Sequence, residues 1–276
     1  MRGFWKRIGV VAVLAALSSP LAALAAERDE LYRARAIVTG QREETRHGGI
    51  AEALRYVLAK VSGDPRLVDD PRVAAMAEDA GAYVVGFGYR DRMDGKPLAD
   101  EQGSRDRPYD LTVDFDPRKI DAALQSLGRK PWTAARPGFV AVIGMRNGPK
   151  DHLLTADGGM NLKRQRVALA LAADRFGIPV ALPRAAVLAE HGLTVQALPT
   201  AEPEGLDAVA EAADADLVLL GSLTWSDEAH GWISEWRFAA DGRNHRWEHR
   251  GGGFDEAFRK GIGGAARILS GNGQPE

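Results

Sequence analysis

The regular spacing of hydrophobic residues predicts the strands of the first half of the chain. Residues 111–116 read L-T-V-D-F-D, and this alternation of hydrophobic and polar positions is typical of a half-buried strand. Looser patterns of the same kind predict strands over residues 31–38 and 82–89. Asp116 and Pro117 should end the 111–116 strand and begin a helix, because Asp is a good N-cap and Pro is tolerated in the first helical turn.

Helical periodicity predicts the segments between these strands. One stretch has hydrophobic residues at i, i+4, i+7, i+8 and i+11, which are Ile50, Leu54, Val57, Leu58 and Val61. A shorter helix should cover residues 73–80, and the helix after Pro117 should end at Gly128. The stretch 90–108 is rich in Asp, Arg and Gly, which predicts a loop or a hairpin tip.

Continuous hydrophobic runs distinguish the second half. Residues 139–143 and 217–220 lack alternation, which is typical of strands covered on both faces. Between them the segment 146–159 is polar and glycine-rich. The pattern then predicts a helix over 162–176 capped by Asn161, a short strand over 178–182 and two short helices at 185–191 and 206–213. Because strands alternate with helices, the sheet should be partly parallel, with right-handed crossovers.

The C-terminal part predicts a β-meander followed by a helix. Asp241-Gly242 is a hairpin signal between two alternating stretches. Hydrophobic residues then recur on one side of a helix, at Phe254, Phe258, Ile262, Ala265 and Leu269. Glycines inside this helix indicate close packing against the sheet, at some cost in helix propensity. The tail from Ser270 should be frayed.

Together these elements predict an α+β fold with two consecutive strand–helix–strand–strand–helix lobes. The N-terminal α+β lobe should cover residues 26–131, and the C-terminal α/β lobe, with its meander and final helix, residues 132–276. The second lobe should contain a mixed parallel and antiparallel sheet. The junction lies at residues 132–137, and the pattern leaves open whether the two lobes form one domain or two.

The N-terminus has the three parts of a secretory signal peptide. Basic residues precede the hydrophobic stretch 8–17, and Ala23-Leu24-Ala25 is a cleavage site of the A-x-A type. We therefore expect residues 1–25 to be removed and the mature chain to reach the periplasm as a soluble protein. The hydrophobic stretch is too short to span a bilayer, and no later stretch is hydrophobic enough to do so.

Composition narrows the classes of function. The 276 residues carry a formal net charge of -2, which argues against a nucleic-acid partner because such a protein needs a basic face. The absence of Cys excludes disulfides, a thiolate nucleophile, Cys-ligated zinc and a lipid anchor at the cleavage site. The sequence also lacks a nucleophile elbow, a phosphate loop and a calcium loop, so no cofactor is expected.

One short motif resembles a metal site. His245-Arg246-Trp247-Glu248-His249 matches H-x-x-E-H, a pattern that binds zinc when it lies on a helix. Here it follows a hairpin turn, alternates as a strand does and runs into three glycines. Residues four apart on a strand lie about 13 Å from each other, and Glu248 would point away from both histidines. His245 and His249 are therefore an outside candidate for a metal site, and the favoured interpretation is a strand.

Four tryptophans in the meander are the candidate binding residues: Trp225, Trp232, Trp236 and Trp247. Aromatic residues on an exposed sheet often bind glycans or peptides, so the four could form a binding platform. They could also form the core between the sheet and the final helix. The core interpretation is favoured, because Phe254 and Phe258 need packing partners.

Two sets of charged residues allow a functional and a structural interpretation. Asp114 and Asp116 could serve as a catalytic or cation-binding pair, but a solvated strand face and a helix cap explain them as well. Six arginines could gather into an anion site or could simply be solvated: Arg33, Arg35, Arg90, Arg92, Arg105 and Arg107. The structural interpretation is favoured for both sets.

Several tracts together resemble a known family. They are L-Y-R-A-R-A-I-V, A-L-R-Y-V-L-A-K-V-S-G-D, V-D-F-D-P, L-G-x-x-x-W-x-x-x-R-P and D-A-D-L-V-L-L-G. On these tracts the chain resembles an exported proteobacterial family, the domain of unknown function 2066. The resemblance covers nearly all of the mature chain. It implies an exported, soluble envelope protein and carries over no functional residue.

The sequence therefore favours a periplasmic binding or assembly factor without catalysis, whose partner would be an envelope protein or a glycan. This expectation rests on export and on the lack of an assembled nucleophile, base or metal set. The alternative is a hydrolase, either metal-dependent through His245, Glu248 and His249 or carboxylate-based through Asp114 and Asp116.

Overall fold

Two larger β-sheets, the helices packed on them and a short two-stranded sheet make up the described part of the chain. The computed structural model describes residues 30–95, 99–100, 103–104 and 106–275. The signal peptide predicted over residues 1–25 lies outside this part. The residues from Leu31 onwards cluster into one compact unit.

The first half forms a three-stranded antiparallel sheet. Its strands are β1 (Arg33–Thr39), β2 (Val84–Asp91) and β5 (Pro108–Phe115), and a short hairpin of β3 (Ala99–Asp100) and β4 (Gly103–Ser104) lies between the last two in the chain. The strand order is β1-β5-β2, with the 111–116 pattern on the central strand. The helices are α1 (Glu43–Ser62), α2 (Pro71–Ala77) and α3 (Pro117–Ser126).

The second half forms a six-stranded mixed sheet. Its strands are β6 (Phe139–Asn147), β7 (Lys150–Leu154), β8 (Val180–Ala181), β9 (Leu217–Ser226), β10 (Gly231–Ala240) and β11 (Arg243–Arg250). The order is β11-β10-β9-β6-β7, and β8 also pairs with β6. Strand β6 runs parallel to β8 and β9, whereas the other pairs are antiparallel. The predicted α+β class and the mixed sheet are confirmed.

Helices cover both faces of the central strands in the second sheet. They are α4 (Lys163–Phe176), α5 (Ala185–Glu190), α6 (Asp207–Glu211) and α7 (Phe254–Leu269). Val140 and Val218 pack with residues of α5 and α6, whereas Ala141 and Leu219 belong to the larger core that contains α4 and α7. The two continuous hydrophobic runs are thus covered on both sides, as their composition predicted.

Several local predictions can be compared with the structure. Asp116 accepts hydrogen bonds from the backbone N–H groups of Arg118 and Lys119, so the predicted cap is confirmed. The predicted cap at Asn161 is wrong, because α4 begins after a 3-10 turn and has no side-chain cap. The polar, glycine-rich segment 146–159 contains β7, a strand that the pattern did not predict.

The C-terminal tail is held in place instead of fraying. The Ser270 hydroxyl donates to the Gly63 carbonyl at 3.2 Å, and the Asn272 amide donates to the Ser62 carbonyl at 2.9 Å. The tail therefore docks on the end of α1, in the first half of the chain. This contact brings the 3-10 turn Pro65–Asp69 next to α7, where the candidate site lies.

Candidate functional site

The H-x-x-E-H residues lie on strand β11 and make separate contacts. His245 stacks on Phe238 with the ring centroids 4.9 Å apart, whereas His249 Nε2 lies 3.6 Å from Glu256 Oε1. Glu248 is exposed and accepts a hydrogen bond from Arg250 at 2.7 Å. The strand interpretation of the motif is confirmed. Among the described residues, no group of three or more His, Asp or Glu side chains could hold a metal ion.

The carboxylates of the alternative acid pair have structural partners. Asp114 forms an ion pair with Arg33 at 2.5 Å on the outer face of the first sheet. Asp116 caps α3. The geometry therefore supports the interpretation of this pair as a strand face and a helix cap.

The arginines considered as an anion site face aspartates. The ion pairs join Arg33 with Asp114, Arg35 with Asp174, Arg90 and Arg92 with Asp110, and Arg107 with Asp91. Arg105 lies outside the described residues. Because each of these arginines already faces a carboxylate, the structure favours the structural interpretation over an anion site. Arg107 is the exception to a solvated position, since only 12% of its side chain is exposed.

The four tryptophans are divided between core and surface. The exposed fraction is 0% for Trp236, 5% for Trp247, 7% for Trp232 and 38% for Trp225. The four indoles therefore do not form one exposed platform, and burial supports the core interpretation. Trp236 contacts Phe258 of α7 edge-on, with the ring centroids 6.3 Å apart.

A surface pocket lies where the two halves of the chain meet. It has a volume of about 330 Å³ and is bounded by the 3-10 turn Pro65–Asp69, strand β11, helix α7 and Pro275. Its walls carry four cationic side chains, Arg66, Arg259, Lys260 and Arg267, and two acidic residues, Asp69 and Glu248. We call this the basic pocket. The sequence did not predict it, because its walls come from segments far apart in the chain.

A glycine pair forms one wall of the basic pocket. Gly263 and Gly264 line it between Lys260 and Arg267, and all four lie on one face of α7 because they are spaced i, i+3, i+4 and i+7. A Cβ on Gly264 would lie 2.4 Å from Trp247 Nε1. The Trp247 indole therefore lies against bare helix backbone, and its Nε1 donates to the Lys260 carbonyl at 3.2 Å.

His249 lies at the edge of the basic pocket in a partly buried environment. Burial lowers the pKa of His249, the Glu256 carboxylate opposes that effect, and the positive charges of Lys260 and Arg259 add to it. Among the described residues its buried Nε2 atom has no hydrogen-bond partner. Burial therefore favours the neutral form of the imidazole.

Asp64 anchors the wall that faces α7. Its carboxylate is fully buried and accepts hydrogen bonds from Arg66 at 2.8 Å and from Arg129 at 2.7 Å. Burial opposes ionisation, but these hydrogen bonds outweigh it and hold the pKa of Asp64 below its ordinary value. One buried carboxylate is thus shared by two guanidinium groups, which fixes the position of Arg66 in this wall.

Comparison with known proteins gives one match. Residues 25–133 match the model of a domain of unknown function, DUF8605. This finding is consistent with an uncharacterised family for the first half of the chain, although the model is not that of the domain of unknown function 2066. No curated protein and no solved structure matches the chain. Across the part of the chain that the structure describes, no helix combines the length and the hydrophobicity needed to cross a bilayer.

Proposed function

We propose that this protein is an exported, non-catalytic binding or assembly factor of the bacterial envelope. The basic pocket supports the binding role, because an open cavity built jointly by two parts of a chain is a common place for ligands. The signal-like N-terminus supports export. The match to the family model begins at residue 25, next to the proposed cleavage site, which also fits removal of the preceding residues.

The finer family relationship is also a proposal. The tracts that resemble the proteobacterial domain of unknown function 2066 extend into the second half, beyond the matched residues 25–133. We assign the partner to the envelope on this basis, as a protein or a glycan. Trp225 is the one meander tryptophan with a substantially exposed ring, so it is the residue of that cluster suited to such a contact.

Export is tested by expressing the full chain in a bacterium and measuring the intact mass of the periplasmic product. The expected product begins at Ala26. An Ala25→Leu variant should be processed poorly, because the cleavage site needs a small residue there. Full-length protein that stays in the cytoplasm would contradict the proposal.

The binding role is tested by cross-linked capture from envelope extract. We expect a Lys260→Glu/Arg267→Glu variant to lose partners that wild type captures. The matched control reverses two exposed charges on α4, Lys163→Glu/Arg164→Glu, and should capture the same partners as wild type. Equal capture by all three proteins would exclude the basic pocket as the binding site.

The hydrolase alternative is tested by elemental analysis of the purified protein. Stoichiometric zinc that disappears in a His245→Ala/His249→Ala variant would replace the proposed function with a metal-dependent one. The distinct contacts of the two histidines predict that zinc binding does not depend on this pair.

A further inference from the structure

The cations of the basic pocket are arranged along one side of α7. Lys260 and Arg267 are separated by two helical turns, which corresponds to about 10.5 Å along the helix axis. Gly263 and Gly264 lie between them and place no side chain in the gap. The helix therefore carries one positive charge on each side of a stretch of backbone that has no side chains.

These two cations lack acidic partners among the described residues. The ion pairs made by the other lining residues in the described part of the chain join Arg66 with Asp64, Arg259 with Asp255 and Glu248 with Arg250, and His249 lies 3.6 Å from Glu256. Within the described part of the chain, the Arg267 side chain donates one hydrogen bond, a long one of 3.4 Å to the Asn272 carbonyl. A bound anion that reaches both side chains would therefore form charge-assisted hydrogen bonds without displacing a carboxylate.

The opposite walls supply a third cation and an apolar surface. Arg66 is held in place by two hydrogen bonds to Asp64, both 2.8 Å long, and by one to the Asn272 carbonyl. Trp247 and Pro65 contribute ring surface to the cavity. The volume of about 330 Å³ exceeds what an isolated phosphate ion occupies, since one water takes up about 30 Å³ of liquid.

We propose that the basic pocket binds a phosphate-type oxyanion that carries a small apolar or aromatic group. Lys260 and Arg267 contact the oxyanion, Arg66 faces it from the other wall, and Trp247 packs against the apolar part. This inference rests on the proposed function and deepens it by naming a ligand class. The same chemistry is found in a free phosphomonoester and in the headgroup of an anionic phospholipid.

Isothermal titration of the mature chain with three probes tests the ligand class. We expect phenyl phosphate to bind, inorganic phosphate to bind about tenfold more weakly because it lacks the ring, and phenol not to bind. Lys260→Ala and Arg267→Ala should each weaken phenyl phosphate binding about tenfold, whereas Lys260→Arg should retain most of it. Lys163→Ala removes a similar exposed charge on α4 and should bind as wild type does.

Two results would overturn the proposal: wild type that binds neither phosphate nor phenyl phosphate, or affinity that is unchanged in the Lys260→Ala/Arg267→Ala variant. Thermal unfolding of each variant separates a lost contact from a lost fold. Neither result bears on export or on metal content, so failure of the ligand class is distinguishable from failure of the proposed function.

Vesicles distinguish the two sources of the phosphate group. A lipid headgroup would be identified by two results together. Phosphatidylglycerol vesicles would co-sediment with the protein and be displaced by phenyl phosphate, and phosphatidylcholine vesicles would not co-sediment. Binding of phenyl phosphate without vesicle binding would identify a free phosphomonoester. Vesicle binding that survives in the Lys260→Ala/Arg267→Ala variant would contradict the assignment of lipid binding to this pocket.

Discussion

Arg136 joins the ends of two helices at the junction between the sheets. Its guanidinium donates to the Phe176 carbonyl at 2.6 Å, at the end of α4, and to the Lys60 carbonyl at 2.7 Å, near the end of α1. The group also stacks over the Trp132 ring at 4.2 Å. Carbonyls at a helix C-terminus carry partial negative charge and lack partners within the helix, so a cation that contacts two such ends stabilises both.

Replacement of Arg136 by Lys should destabilise the fold although the charge is retained. A lysine amine cannot reach both helix ends at once and does not stack as a planar guanidinium does, so we expect a loss of about 2 kcal/mol. Urea unfolding at pH 7 measures it. Arg118→Lys, on the exposed face of α3, is the matched control and should change stability by less than about 0.5 kcal/mol. Equal effects of the two variants would contradict the bridging role.

Asp64 should make the fold sensitive to acid. Its folded pKa lies below the ordinary value, so its contribution is present above about pH 4 and is lost as the pH falls through the folded pKa. We expect Asp64→Asn to lose about 2 kcal/mol at pH 7, because Arg66 and Arg129 lose the charged hydrogen bonds to the carboxylate that they share. The difference from wild type should shrink as the pH falls below about 4 and through the lowered folded pKa, because wild-type Asp64 then becomes protonated. Urea unfolding over a series of pH values from 7 downwards checks this, with Asp69→Asn as an exposed control.

At the scale of elements, α7 fits the second sheet because glycines replace side chains where indoles approach. A Cβ on Gly261 would lie 2.4 Å from Trp236, and one on Gly221 of β9 would lie 2.6 Å from the same ring. The Trp236 ring therefore packs against backbone that has no side chain, at Gly221 of β9 and at Gly261 of α7. The prediction of close packing from the glycines in this helix is confirmed.

Gly261→Ala should destabilise the protein, although alanine is the better helix former. The added methyl group has no space next to Trp236, so we expect a cost of about 1–3 kcal/mol from overpacking. Gly48→Ala in α1 is the control, because no atom lies within 4 Å of the added Cβ. That variant should gain up to about 1 kcal/mol from helix propensity. Thermal unfolding compares the two, and the prediction fails if both changes have the same sign.

Elements with strong periodicity or long hydrophobic runs could be predicted from the sequence, whereas those fixed by tertiary contacts could not. The helix after Asp116-Pro117 follows local rules, since the cap and the proline act within one turn. Strand β7 could not be predicted, because it is a short and largely polar edge strand. Its pairing with β6 depends on the turn at Gly148, which has a φ of +59°. The basic pocket could not be predicted either, because its walls are brought together by tertiary contacts. The turn after Asp64 and α7 line the same cavity, and the C-terminal tail docks beside them.

At the scale of the whole molecule, one hydrophobic core extends through both halves. The same cluster contains Leu54 of α1, Phe115 of β5, Phe176 of α4, and Trp236 and Ile262 of the second half. Arg136 and the docked tail add polar links across the same boundary. A core shared in this way couples the two halves energetically, because neither can unfold without exposing hydrophobic surface of the other.

This coupling predicts a single unfolding transition. Four of the five described tryptophans lie on β9–β11 and the fifth, Trp132, lies at the junction, so tryptophan fluorescence reports mainly on the second sheet. Leu54, in contrast, is fully buried on α1 in the first half. Leu54→Ala should cost about 2–5 kcal/mol and lower the urea midpoint of tryptophan fluorescence as much as that of far-UV circular dichroism. Val85→Ala, at a position of the first sheet that is 66% exposed, should move neither midpoint appreciably. If Leu54→Ala splits the two midpoints, the halves unfold independently and the shared core does not couple them.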